Sequence, residues 1–155
     1  EPLGAVTRAE SWRHGPLDRA GFARMRDEIG AVLTPVKARM ETVGAFDPST
    51  HHLLGTSGTV TTLAAIALGL VRYERQRVDA SWHRCADIEA VIDRLVTLDL
   101  KERAAIGCVG ADRADLIVPG CAVFAAIAML WPCGRLRVAD RGLREGMLRE
   151  LARLS

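Results

Sequence analysis

Aromatic residues are scarce in this sequence: three Trp, three Phe and one Tyr make up 5% of its 155 residues. A core poor in rings must be built from Ala, Leu, Val and Ile, a composition that favours packed helices. An excess of charge of one sign is also lacking. The 21 basic and 19 acidic side chains are interspersed and leave a formal net charge of +2. That excludes the dense basic stripe of a dedicated nucleic-acid binder and leaves room for an anionic ligand. There is no C-x-x-C pair among the four cysteines, Cys85, Cys108, Cys121 and Cys133. Neither a zinc site nor a disulfide framework is suggested, and reduced thiols in a cytoplasmic protein are the expected state. A basic segment followed by an apolar run is missing from the start of the sequence, so no secretory signal is read there.

What is present is apolar enough, at 49%, for one well-buried domain. The longest uncharged run, residues 116–134, reads LIVPGCAVFAAIAMLWPCG and approaches the length of a membrane span. Pro119, Gly120 and Pro132 punctuate it, and Arg113, Asp115, Arg135 and Arg137 crowd its ends. A buried helix in a water-soluble core is the better reading, with no membrane partner.

Along the chain, EPLGAVTRAE reads as a short strand that enters without a lead-in, as in an excised piece. After the loop at His14, Gly15 and Pro16, the apolar positions from Phe22 to Met40 follow one helical face, which Pro35 is expected to kink or split. A turn at Asp47–Thr50 precedes HHLL, read as a strand, then GTSGT and the apolar run VTTLAAIALGL. The order is strand, glycine loop, helix. A charged segment, 72–84, leads to an amphipathic helix with Ile88, Val91, Ile92, Leu95 and Leu98 on one side and Asp87 or a neighbour as its cap. KERAAIGCVGADRAD reads as a short helix and turn, with Asp112 or Asp115 available to cap the long apolar helix. RLRVAD reads as a strand, and a last helix places Leu143, Met147, Leu148, Leu151 and Leu154 on one face. About five helices and three scattered strands argue for α/β layering, with at least one strand expected upstream of Glu1.

The residues with the clearest chemistry are Gly55, Thr56, Ser57, Gly58 and Thr59. Two glycines let the backbone turn sharply, successive N–H groups and hydroxyls converge, and a helix N-terminus adds partial positive charge, so phosphate oxygens suit the cradle. A tight turn with a Thr cap is the plainer alternative, and the absence of a lysine excludes a Walker A loop. Arg113 can hold phosphate or stack on a base; its plainer role is a helix-end pair with Glu102 or Asp115. Arg141, Arg144 and Glu145 follow a strand end, where ligand loops of open α/β sheets gather. There, too, a solvated helix start held by a Glu145–Arg149 pair is an equal alternative. His51 and His52, as neighbours on a strand, would face opposite ways. No catalytic triad and no metal-ligand set emerges, and nothing marks Asp140 and Glu145 as an acid–base pair.

Five strings occur in order across nearly the whole chain: PLGAV at 2–6, GTSGTVTTLAA at 55–65, ERAAI at 102–106, RADLIVPG at 113–120 and GLREGML at 142–148. Together they resemble the second, C-terminal lobe of the exopolyphosphatase / guanosine pentaphosphate phosphohydrolase family. One departure is that the family's Gly-Leu before RAD is replaced by Cys108 and Val109, with Gly107 one place earlier. The resemblance implies one lobe of the duplicated α/β fold of actin, hexokinase and acetate kinase, a ribonuclease H-like architecture. It implies an activity that releases terminal phosphate from polyphosphate or converts guanosine pentaphosphate to the stringent-response nucleotide guanosine tetraphosphate. Residues 55–59 would be this lobe's glycine turn and Arg113 a cleft arginine. The other phosphate loop, the water-activating glutamate and the magnesium ligands would lie in a first lobe outside these residues, so the isolated chain is expected to be inactive. A homodimer through exposed lobe surface is a further expectation. A sugar or acetate kinase-like lobe and a non-catalytic guanosine tetraphosphate or polyphosphate sensor are the competing classes.

Overall fold

The computed structural model describes residues 18–44 and 46–154. The expected strand at PLGAV and the loop at His14–Pro16 lie outside the described residues. Helix α1 runs Arg19–Thr42, with Asp18 as its cap accepting from the Gly21 N–H at 2.7 Å. Pro35 does not split it. The proline removes one helical donor, and since Ala31 and Pro35 are both exposed, the carbonyl it orphans stays within reach of water.

Strand β1 (Leu53–Gly55) leads into α2 (Gly58–Ala67), then a one-turn helix α3 (Arg75–Val78) and strand β2 (Trp82–Arg84). Helices α4 (Cys85–Thr97) and α5 (Leu100–Ala105), a 3-10 turn (Ala111–Arg113) and α6 (Ile117–Leu130) follow. Strand β3 (Arg135–Val138) and α7 (Leu143–Leu154) close the order. The sheet runs β1-β3-β2, with β1 parallel to β3 (Leu53 beside Leu136, Gly55 beside Val138) and β2 antiparallel to it (Trp82 beside Arg137).

Two expected caps are corrected. Arg84 and Leu116 occupy the cap positions of α4 and α6 without side-chain bonds, and Asp87 sits in the first turn of α4 instead. There it still favours the positive end of the helix dipole. The histidines precede β1 rather than lying on it. His51 is folded onto the Asp47 turn, its N–H donating to the Asp47 carbonyl at 2.9 Å, and the His52 ring lies 4.7 Å from that of Trp82.

The main core joins Leu63, Ile88, Leu95, Val118, Leu136 and Val138, all at most 1% exposed. A second cluster packs Met25 and Ile29 of α1 against Ala122 and Ala126 of α6. The uncharged run is therefore an internal helix whose small residues admit a close neighbour. No helix among the described residues is long and apolar enough to cross a membrane.

Candidate phosphate-binding cleft

The Gly55–Thr59 segment bends the chain from the end of β1 into the start of α2. Ser57 caps the helix, its hydroxyl accepting from the Val60 N–H at 3.3 Å. The Gly58 and Thr59 N–H groups, first in the helix, have no protein acceptor among the described residues. That is the state of a helix end ready to accept an anion. The bend needs glycine at position 55, where a Cβ would stand 2.4 Å from Cγ1 of Val60.

Arg113 arrives at the same place from the 3-10 turn. Its Nη1 donates to the Thr62 hydroxyl at 3.4 Å and would lie 3.5 Å from a Cβ on Gly58. Neither carboxylate considered as its partner is paired with it. Glu102 is engaged in a capping box with Asp99 at the start of α5, both bonds being 2.8 Å. Arg113 makes no ion pair among the described residues, Asp115 included. A guanidinium without a carboxylate, beside two open N–H groups, is an environment built for negative charge.

Ser57, Gly58, Thr59 and Arg113 line one small pocket of about 300 Å³, and Gly58 and Arg113 also face an open cavity of about 700 Å³. Of the residues singled out from sequence, Thr56, Gly58 and Arg113 line the larger cavity. Gly55, Ser57 and Thr59 face a third, more apolar groove of about 360 Å³ between β1 and α6. The Thr59 hydroxyl is committed to packing, since a Cβ on Gly120 would meet it at 2.2 Å. Arg141 and Glu145 also line the larger cavity, while the side chain of Arg144 lies outside the described residues.

The far wall was not legible in the sequence. It comes from the charged segment before β2, which Asp140 at the end of β3 gathers up. Tyr73 Oη donates to Asp140 Oδ2 at 2.8 Å, Arg75 Nε lies 3.2 Å from the same oxygen, and Arg75 Nη2 donates to the Asp140 carbonyl. Asp79 accepts from the Asp140 N–H at 2.9 Å and from Arg141 Nε at 3.3 Å. Glu145 accepts from the Gly142 N–H at 2.8 Å, with Arg75 at 3.8 Å from its other oxygen. The only available signal was an arginine and a tyrosine in a linker otherwise rich in solvated charge.

Burial, then the bond to Asp140, raises the Tyr73 phenol above its ordinary pKa. The Asp140 N–H, then Arg141, holds Asp79 below the ordinary carboxylate range. Cys108, whose Sγ donates to the Leu70 carbonyl at 3.2 Å, is pushed up by burial and is a poor nucleophile. The carboxylates here are tied to arginines, a phenol and backbone N–H groups. Among the described residues no group of three or more His, Cys, Asp or Glu is disposed to hold a metal ion. The donors among these residues therefore suit an anion rather than magnesium.

Comparison with known proteins agrees with this architecture. The exopolyphosphatase 2 of Mycobacterium tuberculosis is 35% identical over 75 residues, 48% of this chain and 24% of that protein. The crystal structure of the Aquifex aeolicus member of the Ppx/GppA protein family superposes with a TM-score of 0.81 at 25% identity, covering 100% of this chain and 48% of its own. An exopolyphosphatase from Cytophaga hutchinsonii gives a TM-score of 0.73 at 23% identity over 89% of this chain and 43% of its own, and supports the fold. This chain thus spans about half the length of these solved relatives. A model of the Ppx/GppA phosphatase family matches residues 1–154, and the chain belongs to that family.

Proposed function

We propose that this chain forms the phosphate-holding wall of a phosphohydrolase that releases terminal phosphate from inorganic polyphosphate, and that it is one lobe of a longer protein. The observation that carries the reading is that Arg113 shares the lining of one small pocket with Gly58 and Thr59, the residues whose N–H groups open α2, beside the larger cleft that Gly58 and Arg113 also line. Guanosine pentaphosphate offers the same terminal phosphoanhydride and is the second substrate to test.

Phosphoryl transfer requires an in-line water, neutralised charge on the transferring oxygens and a held leaving group, so positioning and electrostatics do most of the work. This chain supplies the holding part. Its backbone donors at the start of α2 and the Arg113 fork fix a phosphate of the chain or nucleotide. Of the cleft carboxylates, Asp140 is held by Tyr73 and Arg75, and Glu145 by the Gly142 N–H and Arg75. The base and the magnesium ligands are accordingly assigned to the remainder of the protein.

The test measures inorganic polyphosphate binding and phosphate release by the 155-residue chain, with ATP and guanosine pentaphosphate as competitors. Binding is expected to be weak and hydrolysis absent. Arg113→Ala should weaken binding by about 10-fold or more, the value of a lost charge-assisted hydrogen bond of ~1.5–3 kcal/mol. Steady phosphate release that persists in Arg113→Ala and Gly55→Ala would refute the division of labour. ATP outcompeting polyphosphate would favour the kinase-like alternative.

A further inference from the structure

Arg103 is the one charged side chain among the buried described residues, at 6% exposure. It makes no ion pair among them. Its partners are neutral: Nε and Nη2 donate to the Leu98 carbonyl at 3.0 and 2.8 Å, and Nη1 donates to the Ala114 carbonyl at 3.4 Å. The nearby carboxylate of Asp99 is occupied in capping α5. A buried cation whose hydrogen bonds all go to carbonyls is expensive unless its geometry is well satisfied. Part of the compensation is local, because the Asp99 carboxylate favours the charge and Leu98 directly follows the 13-residue helix α4, at the negative end of its dipole.

The fork joins two segments. Leu98 closes α4, and Ala114, 1% exposed, closes the 3-10 turn directly after Arg113. The turn closes on two bonds of its own, the Arg113 and Ala114 N–H groups each 3.4 Å from their acceptors, and Arg103 adds a third bond of the same length that comes from outside the turn. Arg113 itself is steered by one long bond to Thr62. Its direction therefore depends on where that backbone turn is held, and Arg103 is the side chain that connects the turn to the end of α4. We propose that Arg103 is a positioning residue: by tying Ala114 to the end of α4, it fixes the turn that aims Arg113 at the Gly58 end of the cleft. The functional consequence rests on the phosphate-site reading above; the positional one does not.

Methionine at this site would fill the volume without a donor, and lysine would keep the charge but could not span both carbonyls as a planar fork does. The test follows the Nε–Hε NMR signal of Arg113 in the ligand-free chain, in the parent and in Arg103→Met and Arg103→Lys, with circular dichroism confirming the fold. Both variants are expected to shift or broaden it, and Arg103→Lys serves alone if Arg103→Met does not fold. An Arg113 signal unchanged in the folded variant overturns the proposal.

Polyphosphate titration supplies the second arm. Arg103→Met should weaken binding about 10-fold in the parent, comparable to losing one charge-assisted contact, and add nothing to Arg113→Ala. Equal losses in both backgrounds would reduce Arg103 to a general stabiliser and overturn its positioning role. Should Arg113→Ala leave polyphosphate binding intact, the phosphate-site reading falls, and the NMR arm still decides whether Arg103 aims Arg113.

Discussion

Tyr73 is the chain's single tyrosine, so tyrosinate absorbance reads its titration without interference. Burial and the Asp140 carboxylate both disfavour the phenolate. The midpoint should lie above that of a free phenol and move back toward it in Asp140→Asn, which removes the charge. An ordinary midpoint in the parent chain would count against the Tyr73–Asp140 bond. A pKa raised on folding contributes stability that is complete below the unfolded value and lost as pH rises through the folded one. Asp79 has the opposite sign: its lowered pKa contributes above the ordinary carboxylate value and is lost as pH falls through the depressed one. These two groups thus leave stability level between the carboxylate and phenol ranges. Asp79→Asn should flatten the acid limb of a urea-midpoint profile and leave the alkaline limb in place.

Between elements, the close approach of α2 and α6 governs where the anion site sits. A methyl at Gly120 would meet the Oγ1, Cγ2 and Cβ atoms of Thr59 at 2.2, 2.9 and 3.0 Å. Rotating the threonine cannot clear all three, so the helices must part. Gly120→Ala is expected to cost about 1–3 kcal/mol, the usual range for overpacking. Thr59→Ala in the same chain should recover much of that loss, as coupled neighbours do. Additive losses in the double variant, measured by denaturant unfolding, would mean that the helices do not meet there. The elements that make this contact could be read from sequence. Two glycines and three hydroxyl residues between an apolar pair and an apolar run mark a strand-to-helix bend, and an uncharged Ala-rich run bounded by charge marks an internal helix. Strand β2 and helix α3 could not, being short and, unlike the equally short β1, without a glycine bend beside them to mark them. Their existence depends on pairing with β3 and on the ties of Arg75 and Asp79 to Asp140 and Arg141. The same distance in sequence hid Tyr73 and Arg75 as cleft residues, while Arg113 was visible through the RAD string. The role of Arg103 needed the Leu98 and Ala114 carbonyls to be seen on either side of it.

For the molecule as a whole, the two edges of the sheet differ. On the β2 edge, Trp82 is 42% exposed but covered by cations, with the guanidinium carbons of Arg135 and Arg137 at 4.3 and 5.1 Å from its ring centroid. Those two arginines stand on the central strand β3 and reach over β2, whose own Arg84 adds charge to the edge, and charge there discourages pairing with another strand. Among the described residues strand β1 has no such protection: its outer edge pairs with none of them, and Leu54 is 63% exposed beside it. Relatives about twice as long have further chain with which to cover such a surface. The isolated chain is therefore expected to self-associate through β1, its weight-average mass in sedimentation equilibrium rising with concentration. Leu54→Lys should hold it monomeric while leaving its unfolding midpoint unchanged, because an exposed leucine contributes little to the monomer. In a polypeptide of the family's full length, the same substitution should instead lower the midpoint, since Leu54 would there be covered. A chain that stays monomeric at every concentration, or a Leu54→Lys variant that associates as strongly as its parent, would show that the β1 edge is closed by other means.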